Sequence, residues 1–391
     1  MTVPAFGVNY LPSQQWCHAW TEFDAGEIEA DLAAIAELGA DHIRIQLLWP
    51  LFQPFPGETS ALMLRRLHHV LDIAGTFGLR VWVTVLNGFL SGFDFRPAWL
   101  RDVNLFTDPA AIAWAATFLD DVAVAVCDHP ACAGIDIGNE PNVLAEKSRN
   151  HATAQQLDSW ATEMLGAIRR SGLPAVVGAD HKSWMVGGAT FSPRFLAREP
   201  SITTVHAWPG FTGFLRAFGE HHPAAWSVGA YLSQVARAHQ DEPGNVWVQE
   251  IGVATTWLDT ISQAEATERL LRSTAASPGV SAITWWASHD VARSHEGFDE
   301  LEYDLGLLDV DNRPKDCGRR FAETVADLRS THVPPRESEH AIALPAAGLA
   351  DLRFARAWSE AWADDRPPRI VPASTRSTTV DAGMPADGAG R

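Results

Sequence analysis

Cysteine and positive charge are both scarce in this sequence of 391 residues. The four cysteines, Cys17, Cys127, Cys132 and Cys317, form no CxxC pair and have no histidines at the spacing of a zinc site. The pattern therefore favours free thiols, with a Cys127–Cys132 disulfide as the alternative. Because 48 acidic side chains face 30 basic ones, the formal net charge is −18 and a polyphosphate backbone would be repelled. Nucleic acid is not expected as a partner.

Long apolar stretches are missing as well. No run approaches the roughly 18 uninterrupted apolar residues that a membrane-spanning helix needs. Residues 1–10 contain neither a basic segment nor the apolar segment of a secretory signal. We therefore expect no membrane contact and a cytoplasmic location.

What the sequence does contain is a regular alternation of two patterns. Short apolar runs, typical of buried strands, alternate with longer stretches in which apolar residues recur every three or four positions, as in amphipathic helices. Eight such repeats predict an α/β fold, the (β/α)8 barrel, in which parallel strands are enclosed by helices. The predicted strands are residues 6–10, 42–47, 80–86, 133–138, 175–178, 202–206, 246–249 and 282–286. The predicted helices are residues 27–38, 62–77, 110–126, 154–168, 231–238, 263–274 and 319–328.

A doubly wound open sheet is the competing architecture. That fold typically places a GxGxxG motif directly after the first strand, and the sequence has none there. We therefore predict a catalytic barrel over residues 1–330 and a C-terminal extension over 331–365. An amphipathic helix over 349–362 would pack this extension on the barrel. Residues 366–391 are rich in Pro, Ser, Thr, Gly and Asp without periodicity, which predicts a disordered tail.

Polar side chains gather at the carboxyl ends of the predicted strands, where the active site of a (β/α)8 barrel lies. Glu140 follows the fourth strand in GIDIGNEP, and Glu250 follows the seventh in VWVQEIG. These strands lie across the barrel mouth from each other, so the two carboxylates can face one another. Glycoside hydrolysis needs such a pair on either side of the scissile bond. The other side chains at the strand ends are Asn9, Tyr10, Arg44, Gln46, Trp49, Asn87, Asn139, Asp180, His181, His206, Trp208, Gln249, Trp285, Trp286 and His289.

These strand ends resemble clan A of the glycoside hydrolases and, within it, family 5, over roughly residues 7–328. In that clan an Asn-Glu pair ends strand four and a glutamate ends strand seven, which are the places of Asn139, Glu140 and Glu250. The resemblance implies a retaining double displacement in which Glu250 is the nucleophile and Glu140 the acid/base. It implies no cofactor.

The resemblance also implies a set of substrate-binding residues. The family's strand-two arginine and strand-six histidine are matched by Arg44 and His206, and its strand-eight tryptophan by Trp286 or Trp285, of which alternation favours Trp286 as the stacking platform. Two positions depart from the family, since Asn87 stands where a histidine is usual and Trp208 where a tyrosine is usual. The substrate-binding residues expected on these grounds are Arg44, Asn87, Asn139, His206, Trp208 and Trp286.

A finer resemblance concerns the loops. NYLPS at 9–13, with Trp16 and Trp20, and LLWPLFQP at 47–54 resemble a bacterial subfamily of exo-acting β-mannosidases, which implies a small β-linked oligosaccharide as substrate. The loop over 288–314 is long, and long loops are usually functional or disordered. We predict that it closes one end of the groove and creates a pocket for terminal sugars. Its acidic and aromatic residues are Glu296, Asp299, Glu300, Glu302 and Tyr303.

Other functions stay open. A β-glucosidase or an endo-acting cellulase or mannanase would use the same carboxylates, and a catalytically inactive barrel could bind sugars without needing both of them. A phosphate-binding barrel enzyme would need a Gly-rich loop after strand seven or eight, which IGVAT at 251–255 does not supply. Asp180 and His181 could form a metal pair, but barrel metallohydrolases begin with His-x-His on strand one, where this chain has VNY at 8–10. No metal is expected. The sequence indicates no oligomeric state.

Overall fold

The barrel is built from eight parallel strands that form a nearly closed sheet, as predicted. The computed structural model describes residues 3–147, 149–331, 335, 338–362 and 366–373. Neighbours in the sheet follow chain order, and the fifth and sixth strands lie in contact where the sheet closes. From first to eighth, the barrel strands are Ala5–Tyr10, His42–Gln46, Arg80–Thr84, Cys132–Asn139, Ala175–Gly178, Thr203–Ala207, Val246–Ile251 and Val280–Trp285.

Successive side chains along each strand point alternately to the core between the sheet and the helices and to the barrel interior. On the second strand, Ile43 and Ile45 join the large apolar core between the sheet and the helices. Arg44, between them, faces the barrel interior. An apolar layer that includes Trp82 and Trp247, with ring centroids 4.8 Å apart, fills the lower interior. The polar site therefore rests on a packed floor.

One ring helix follows each strand, and the sequence fixes where most of these helices begin. Asp24, Ser60, Asp108, Thr153 and Ser262 each accept hydrogen bonds from backbone N–H groups in the first turn of the next helix, which stabilises a helix by about 1 kcal/mol per cap. The ring helices are Ala25–Glu37, Ala61–Thr76, Pro109–Val126, Ala154–Arg169, Pro193–Arg198, Val228–Arg237, Gln263–Ala275 and Asp316–Ser330. Shorter helices, α or 3-10, are Trp16–Trp20, Trp49–Phe52, Ala98–Leu100, Pro141–Ala145, Lys182–Met185, Phe214–Phe218, Pro223–Trp226, Thr255–Trp257 and Glu300–Asp304.

Helix Pro109–Val126 is long and apolar enough to cross a membrane by length and composition alone. In the structure it belongs to the ring and packs against helix Ala154–Arg169. Phe118, Leu119 and Val122 lie on its buried face. The apolar composition of this helix is therefore accounted for by the barrel.

The C-terminal extension folds back onto the sixth ring helix. Helix Leu352–Glu360 places the fully buried Trp358 against Tyr231, with ring centroids 5.2 Å apart, and the Tyr231 hydroxyl donates to the Ala350 carbonyl at 2.8 Å. This helix lies within the predicted 349–362.

Two short strands complete the extension. Ala341–Ala343 and Arg369–Val371 pair in parallel, and the Ile370 N–H donates to Gln234 Oε1 on the same ring helix. Here the structure differs from the sequence prediction, because the tail was expected to be disordered from residue 366 and residues 366–373 are ordered. Residues 374–391 lie outside the described residues.

All four cysteines are free thiols. Cys17, Cys132 and Cys317 are buried, and burial raises the pKa of each of these thiols, to about 11 for Cys132 and Cys317. The predicted free state is confirmed, and the alternative Cys127–Cys132 disulfide is absent.

Candidate active site

The structure brings the two predicted carboxylates together at the barrel mouth. One carboxylate oxygen of Glu140, one of Glu250 and a ring nitrogen of His206 all lie within 4.8 Å of one another. These residues belong to the ends of the fourth, seventh and sixth strands. The cluster is therefore assembled by the closed sheet and not by a single loop.

Glu140 owes its position to a sharp turn at the end of the fourth strand. Its backbone is left-handed (φ 44°, ψ 50°), and its N–H donates to the Gly178 carbonyl of the neighbouring strand at 2.7 Å. This conformation is unfavourable for a side-chain-bearing residue by about 1 to 2 kcal/mol, and a following proline disfavours the ordinary helical alternative. Pro141 then begins helix Pro141–Ala145. The turn directs the carboxyl group into the mouth, and strain of this kind is typical of functional sites.

Arg44 is the centre of a buried polar network. Its Nη1 donates to Glu250 Oε1 and Asn9 Oδ1, both at 2.9 Å. Its Nη2 donates to Asp136 Oδ2 at 2.7 Å and to Asn139 Oδ1 at 2.8 Å, and its Nε also donates to Asp136 at 3.0 Å. The guanidinium thus forms charge-assisted hydrogen bonds to both Glu250 and Asp136.

Asp136 is a site residue that sequence reasoning missed. It is fully buried within the fourth strand and also accepts hydrogen bonds from the Thr84 hydroxyl and the Gly178 N–H. The signal was available, since a carboxylate between two isoleucines in a buried strand must face a partner across the barrel. Arg44, an inward-facing cation two strands away, is that partner.

Trp208 holds the second oxygen of Glu250. Its indole Nε1 donates to Glu250 Oε2 at 3.2 Å, at the position where the family usually has a tyrosine. Both oxygens of Glu250 therefore accept hydrogen bonds, which fixes the carboxylate plane. The replacement of tyrosine by tryptophan keeps a donor to this carboxylate.

His206 connects the two carboxylates. Its Nδ1 lies 2.8 Å from Glu140 Oε1 and 3.3 Å from Glu250 Oε2. Its Nε2 lies 3.1 Å from Gln249 Oε1, and Gln249 is oriented because its amide Nε2 donates to Asp136. An amide oxygen can only accept, so His206 carries its proton on Nε2 when neutral, and Nδ1 is then free to accept a proton from Glu140.

The electrostatic setting separates the two carboxyl groups chemically. Burial raises the pKa of Glu140 to about 7, the hydrogen bond from His206 opposes this increase, and the charge of Glu250 adds to it. Burial lowers the pKa of His206, but the charges of Glu250 and Glu140 outweigh burial and the pKa is raised. Glu140 is therefore held in an environment that favours its protonated form, next to His206 and to the carboxylate of Glu250 that accepts a hydrogen bond from Arg44.

The donor spacing of Glu140, His206 and Glu250 would also suit a metal ion. Both oxygens of Glu250 are already engaged, however, and the Arg44 guanidinium 2.9 Å away would repel a cation. Asp180 accepts hydrogen bonds from Asn142 Nδ2 and from the backbone N–H of residue 182, so it stabilises a turn. The arrangement suits nucleophilic and acid–base chemistry.

The remaining predicted residues take different places. The Oδ1 of Asn139 accepts a hydrogen bond from Arg44, and its Nδ2 donates to the Phe89 carbonyl at 3.2 Å. Asn87 is fully buried and donates from Nδ2 to two backbone carbonyls, while its Oδ1 bonds to none of the described residues. Asn87 is thus largely committed to holding the end of the third strand.

Trp285 and Trp286 are both buried at the end of the eighth strand. Trp286 follows the eighth strand directly, its N–H donates to the Ile251 carbonyl, and its side chain belongs to the same apolar cluster as Trp285. Trp285 is fully buried and donates from Nε1 to the Leu305 carbonyl. The geometry agrees with the expected packing role of Trp285.

The long loop after the eighth strand is ordered and closes against two other loops. Phe298 packs on Trp16, from the loop after the first strand, and on Phe93, from the loop after the third, with ring centroids 4.7 and 4.9 Å apart. Phe93 lies in a hairpin, Phe89–Leu90 and Phe93–Asp94, that the sequence pattern did not predict. The three loops form an aromatic wall on one side of the barrel mouth.

The family assignment follows from sequence comparison together with this geometry. The model of the family "Cellulase (glycosyl hydrolase family 5)" matches residues 5–290. The chain belongs to glycoside hydrolase family 5. It is a glycosidase on the (β/α)8 barrel that the sequence predicted. No curated protein sequence matches the chain significantly.

Several solved family 5 structures are similar over nearly the whole chain. GH5_18 from Streptomyces cattleya in complex with GlcNAc is 34% identical, with a TM-score of 0.90 and coverage of 95% of this chain and 94% of that one. GH5_18 from Bifidobacterium longum subsp. longum ATCC 55813 is 31% identical, with a TM-score of 0.89 and coverage of 95% and 92%. Glu-to-Ala variants of both proteins have been crystallised with Manβ1-4GlcNAc.

A further relative carries an activity in its name. The exo-β-1,4-mannosidase Op5Man5 from Opitutaceae bacterium strain TAV5 is 28% identical, with a TM-score of 0.72. The match covers 88% of this chain and 62% of that one. The similarity therefore spans the barrel of this chain and part of the longer relative.

Proposed function

We propose that this family 5 enzyme is a retaining exo-β-mannosidase that releases the terminal mannose of Manβ1-4GlcNAc or a closely similar small oligosaccharide. The substrate proposal rests on the two relatives that bind Manβ1-4GlcNAc and on the exo-mannosidase. The chemistry rests on the facing carboxylates of Glu140 and Glu250.

The spacing of those carboxylates is the single observation that carries the retaining mechanism. Retaining glycosidases hold their two carboxyl groups about 5 to 5.5 Å apart, whereas inverting ones need about 6.5 to 9.5 Å to admit a water molecule. Oxygens of Glu140 and Glu250 lie within 4.8 Å of each other, which supports direct attack by a carboxylate.

Glu250 is the better nucleophile and Glu140 the better acid. Arg44 and Trp208 each donate a hydrogen bond to Glu250 and orient its two oxygens for attack on the anomeric carbon. Glu140, whose pKa is raised to about 7, donates a proton to the departing oxygen. Once the sugar is bound to Glu250, Glu140 removes a proton from water, and the water oxygen displaces Glu250 from the anomeric carbon.

Removal of single terminal sugars is supported by the aromatic wall. Trp16, Phe93 and Phe298 close one side of the mouth, which would block a long chain on that side and leave room for a short substrate. The cytoplasmic location stays a prediction, and it fits a substrate small enough to be imported.

A panel of substrates tests the proposal. Wild-type protein is assayed on aryl β-glycosides of mannose, glucose and galactose, on Manβ1-4GlcNAc and on longer β-mannans, with the first-formed anomer followed by NMR. We expect the highest kcat/KM on the mannosides and the disaccharide, with β-mannose released first. A preference for glucosides would favour a β-glucosidase, a preference for polymers an endo-acting enzyme, and tight binding without turnover an inactive sugar-binding barrel.

A further inference from the structure

Glu302 is a carboxyl group that the two-carboxylate mechanism leaves unused. It lies in the 3-10 turn Glu300–Asp304 of the loop after the eighth strand. Its Oε2 is buried, and within the described part of the chain it has neither a hydrogen-bond partner nor a lysine or arginine paired with it. Glu300, two residues earlier on the same turn, is exposed and forms an ion pair with Arg293 at 2.7 Å. Oε2 of Glu302 is thus a buried carboxylate oxygen without a partner among the described residues.

Other buried carboxylates of this protein are fully engaged. Asp136 accepts from Arg44 and from backbone N–H groups, and Asp31 accepts from the Tyr10 hydroxyl at 3.0 Å and the Ser13 N–H at 2.9 Å. Burying a carboxyl group without partners is unfavourable, because its lost contacts with water are not replaced. The missing partner of Glu302 therefore requires an explanation.

The surroundings of Glu302 are held rigidly. Phe298 and Tyr303, on either side of it in sequence, pack with ring centroids 5.7 Å apart, and the Tyr303 hydroxyl donates to the His295 carbonyl at 2.7 Å. Facing Glu302 is Ser91, which occupies the tip of the Phe89–Asp94 hairpin with a positive φ of 47°. Ser91 Oγ is also buried and makes no hydrogen bond of normal geometry to any residue that the structure describes. Ser91 Oγ and a carboxylate oxygen of Glu302, from different loops, thus lie near each other without a hydrogen bond of normal geometry.

The topology of the barrel places Glu302 next to the strand of the nucleophile, because its loop follows the eighth strand and the eighth strand pairs with the seventh. Burial raises the pKa of Glu302 to about 7, the Ser91 hydroxyl opposes the increase, and the charges of Glu250, Asp299 and Glu140 add to it in that order. Glu250 belongs to that neighbouring seventh strand, whereas Glu140 follows the fourth strand across the mouth. Since the nucleophile faces the sugar that is attacked and the acid faces the leaving group, Glu302 lies toward the attacked sugar.

We propose that Glu302, supported by Ser91, binds a hydroxyl group of the terminal sugar whose anomeric carbon Glu250 attacks. A free sugar hydroxyl supplies the donor that Glu302 Oε2 lacks, and a hydroxyl already linked to another sugar cannot supply it. Glu302 is then a substrate-binding residue that selects terminal sugars. The identity of that sugar as mannose rests on the proposed function.

The test compares Glu302→Ala and Glu302→Gln with Glu300→Ala, a matched change on the exposed face of the same turn. We expect Glu302→Ala to lower kcat/KM about 10- to 100-fold, the size of a lost hydrogen bond to a charged group, mainly through a higher KM. Glu302→Gln should fall between Glu302→Ala and wild type, and Glu300→Ala should stay within about twofold of wild type, as expected for an exposed pair. Activity of Glu302→Ala within twofold of wild type would overturn the proposal.

Thermal stability separates binding from a structural role. The pKa of Glu302 is raised from 4.5 to about 7, so this carboxyl group lowers the stability of the folded protein as pH rises between these values, and the full loss is present above about 7. Glu302→Gln should therefore melt at or above the wild-type temperature at pH 8. A lower melting temperature that accompanies the loss of activity would assign Glu302 to the fold and remove it from the substrate.

Monodeoxy substrates identify the contact. With wild-type protein, removal of one of the 2-, 3-, 4- and 6-hydroxyl groups of the aryl glycoside should lower kcat/KM about as much as Glu302→Ala does. In the Glu302→Ala variant, removal of that same hydroxyl group should lower kcat/KM little further. If the effects of Glu302→Ala and of the missing hydroxyl group multiply at every one of the four positions, Glu302 contacts none of these hydroxyl groups. The series uses whichever aryl glycoside wild type prefers, so a preference for glucose would end the mannosidase proposal while leaving the role of Glu302 to be decided by the series.

Discussion

Two glutamates that are adjacent in space differ because their neighbours differ. Glu250 accepts hydrogen bonds from Arg44 and Trp208, whereas Glu140 faces His206 from a strained turn and is raised in pKa by burial. One carboxyl group is therefore fixed by two hydrogen-bond donors and the other is placed where its protonated form is favoured, as the first step of the proposed mechanism requires.

The roles of the two carboxyl groups predict different responses to the leaving group. Glu250→Ala should abolish turnover on every substrate, because no nucleophile remains. Glu140→Ala should lower kcat about 10²- to 10⁴-fold on substrates with poor leaving groups, but little in the first step on dinitrophenyl glycosides, which depart unprotonated. Steady-state and burst kinetics on both substrate types measure this. Equal losses on both types would remove Glu140 from the acid role.

A pH profile reports the proton on Glu140. Because the acid must be protonated and its pKa is about 7, kcat/KM should be level below that value and fall as pH rises through it. The hydrogen bond and charge of His206 lower the pKa of Glu140, so His206→Ala should move the alkaline limb to higher pH. An alkaline limb that stays in place or moves down would contradict this coupling.

Among the secondary-structure elements, sequence periodicity predicted the long and regular strands and helices. All eight barrel strands begin and end within two residues of prediction, because alternation and buried runs are repeated at every strand. Helix Pro193–Arg198 was missed because six residues are too few to show a period, and the Phe89–Asp94 hairpin because its strands have two residues each. Arg44, the partner of Glu250, could be anticipated from its place on the second strand, and Asp136 from its position between two isoleucines of a buried strand. The role of Glu302 could not be anticipated, because it depends on contacts between loops that are distant in sequence.

The C-terminal extension offers a stability test at this scale. Trp358 is fully buried against Tyr231 and donates to the Pro368 carbonyl at 3.1 Å. Trp358→Ala should lower the free energy of unfolding of the extension by about 3 to 5 kcal/mol, measured by hydrogen exchange of helix Leu352–Glu360 and by denaturant titration. Arg353→Ala changes an exposed side chain of the same helix and should have little effect. Equal effects of the two variants would mean that the helix is not anchored through Trp358.

Across the whole molecule, the buried charges of the barrel interior join the catalytic site to global stability. Arg44 bonds to residues on the first, fourth and seventh strands. Removing one partner of a buried ion pair leaves a charge without compensation, which costs about 3 to 5 kcal/mol. Asp136→Ala should therefore lower the melting temperature of the whole barrel, measured by calorimetry. Asp102→Ala breaks an exposed pair with Arg149 and should cost less than about 1 kcal/mol; a loss as large as that of Asp136→Ala would contradict the distinction.

The division of the site between strands and loops has a consequence for how this protein can diversify. The groups that perform the reaction belong to the sheet or to the first residue after a strand, whereas the aromatic wall and Glu302 belong to the loops after the first, third and eighth strands. Loop exchange among related barrels can thus alter which saccharide is admitted without disturbing the reactive pair. Substitutions in those three loops would therefore change substrate specificity before they changed the catalytic mechanism.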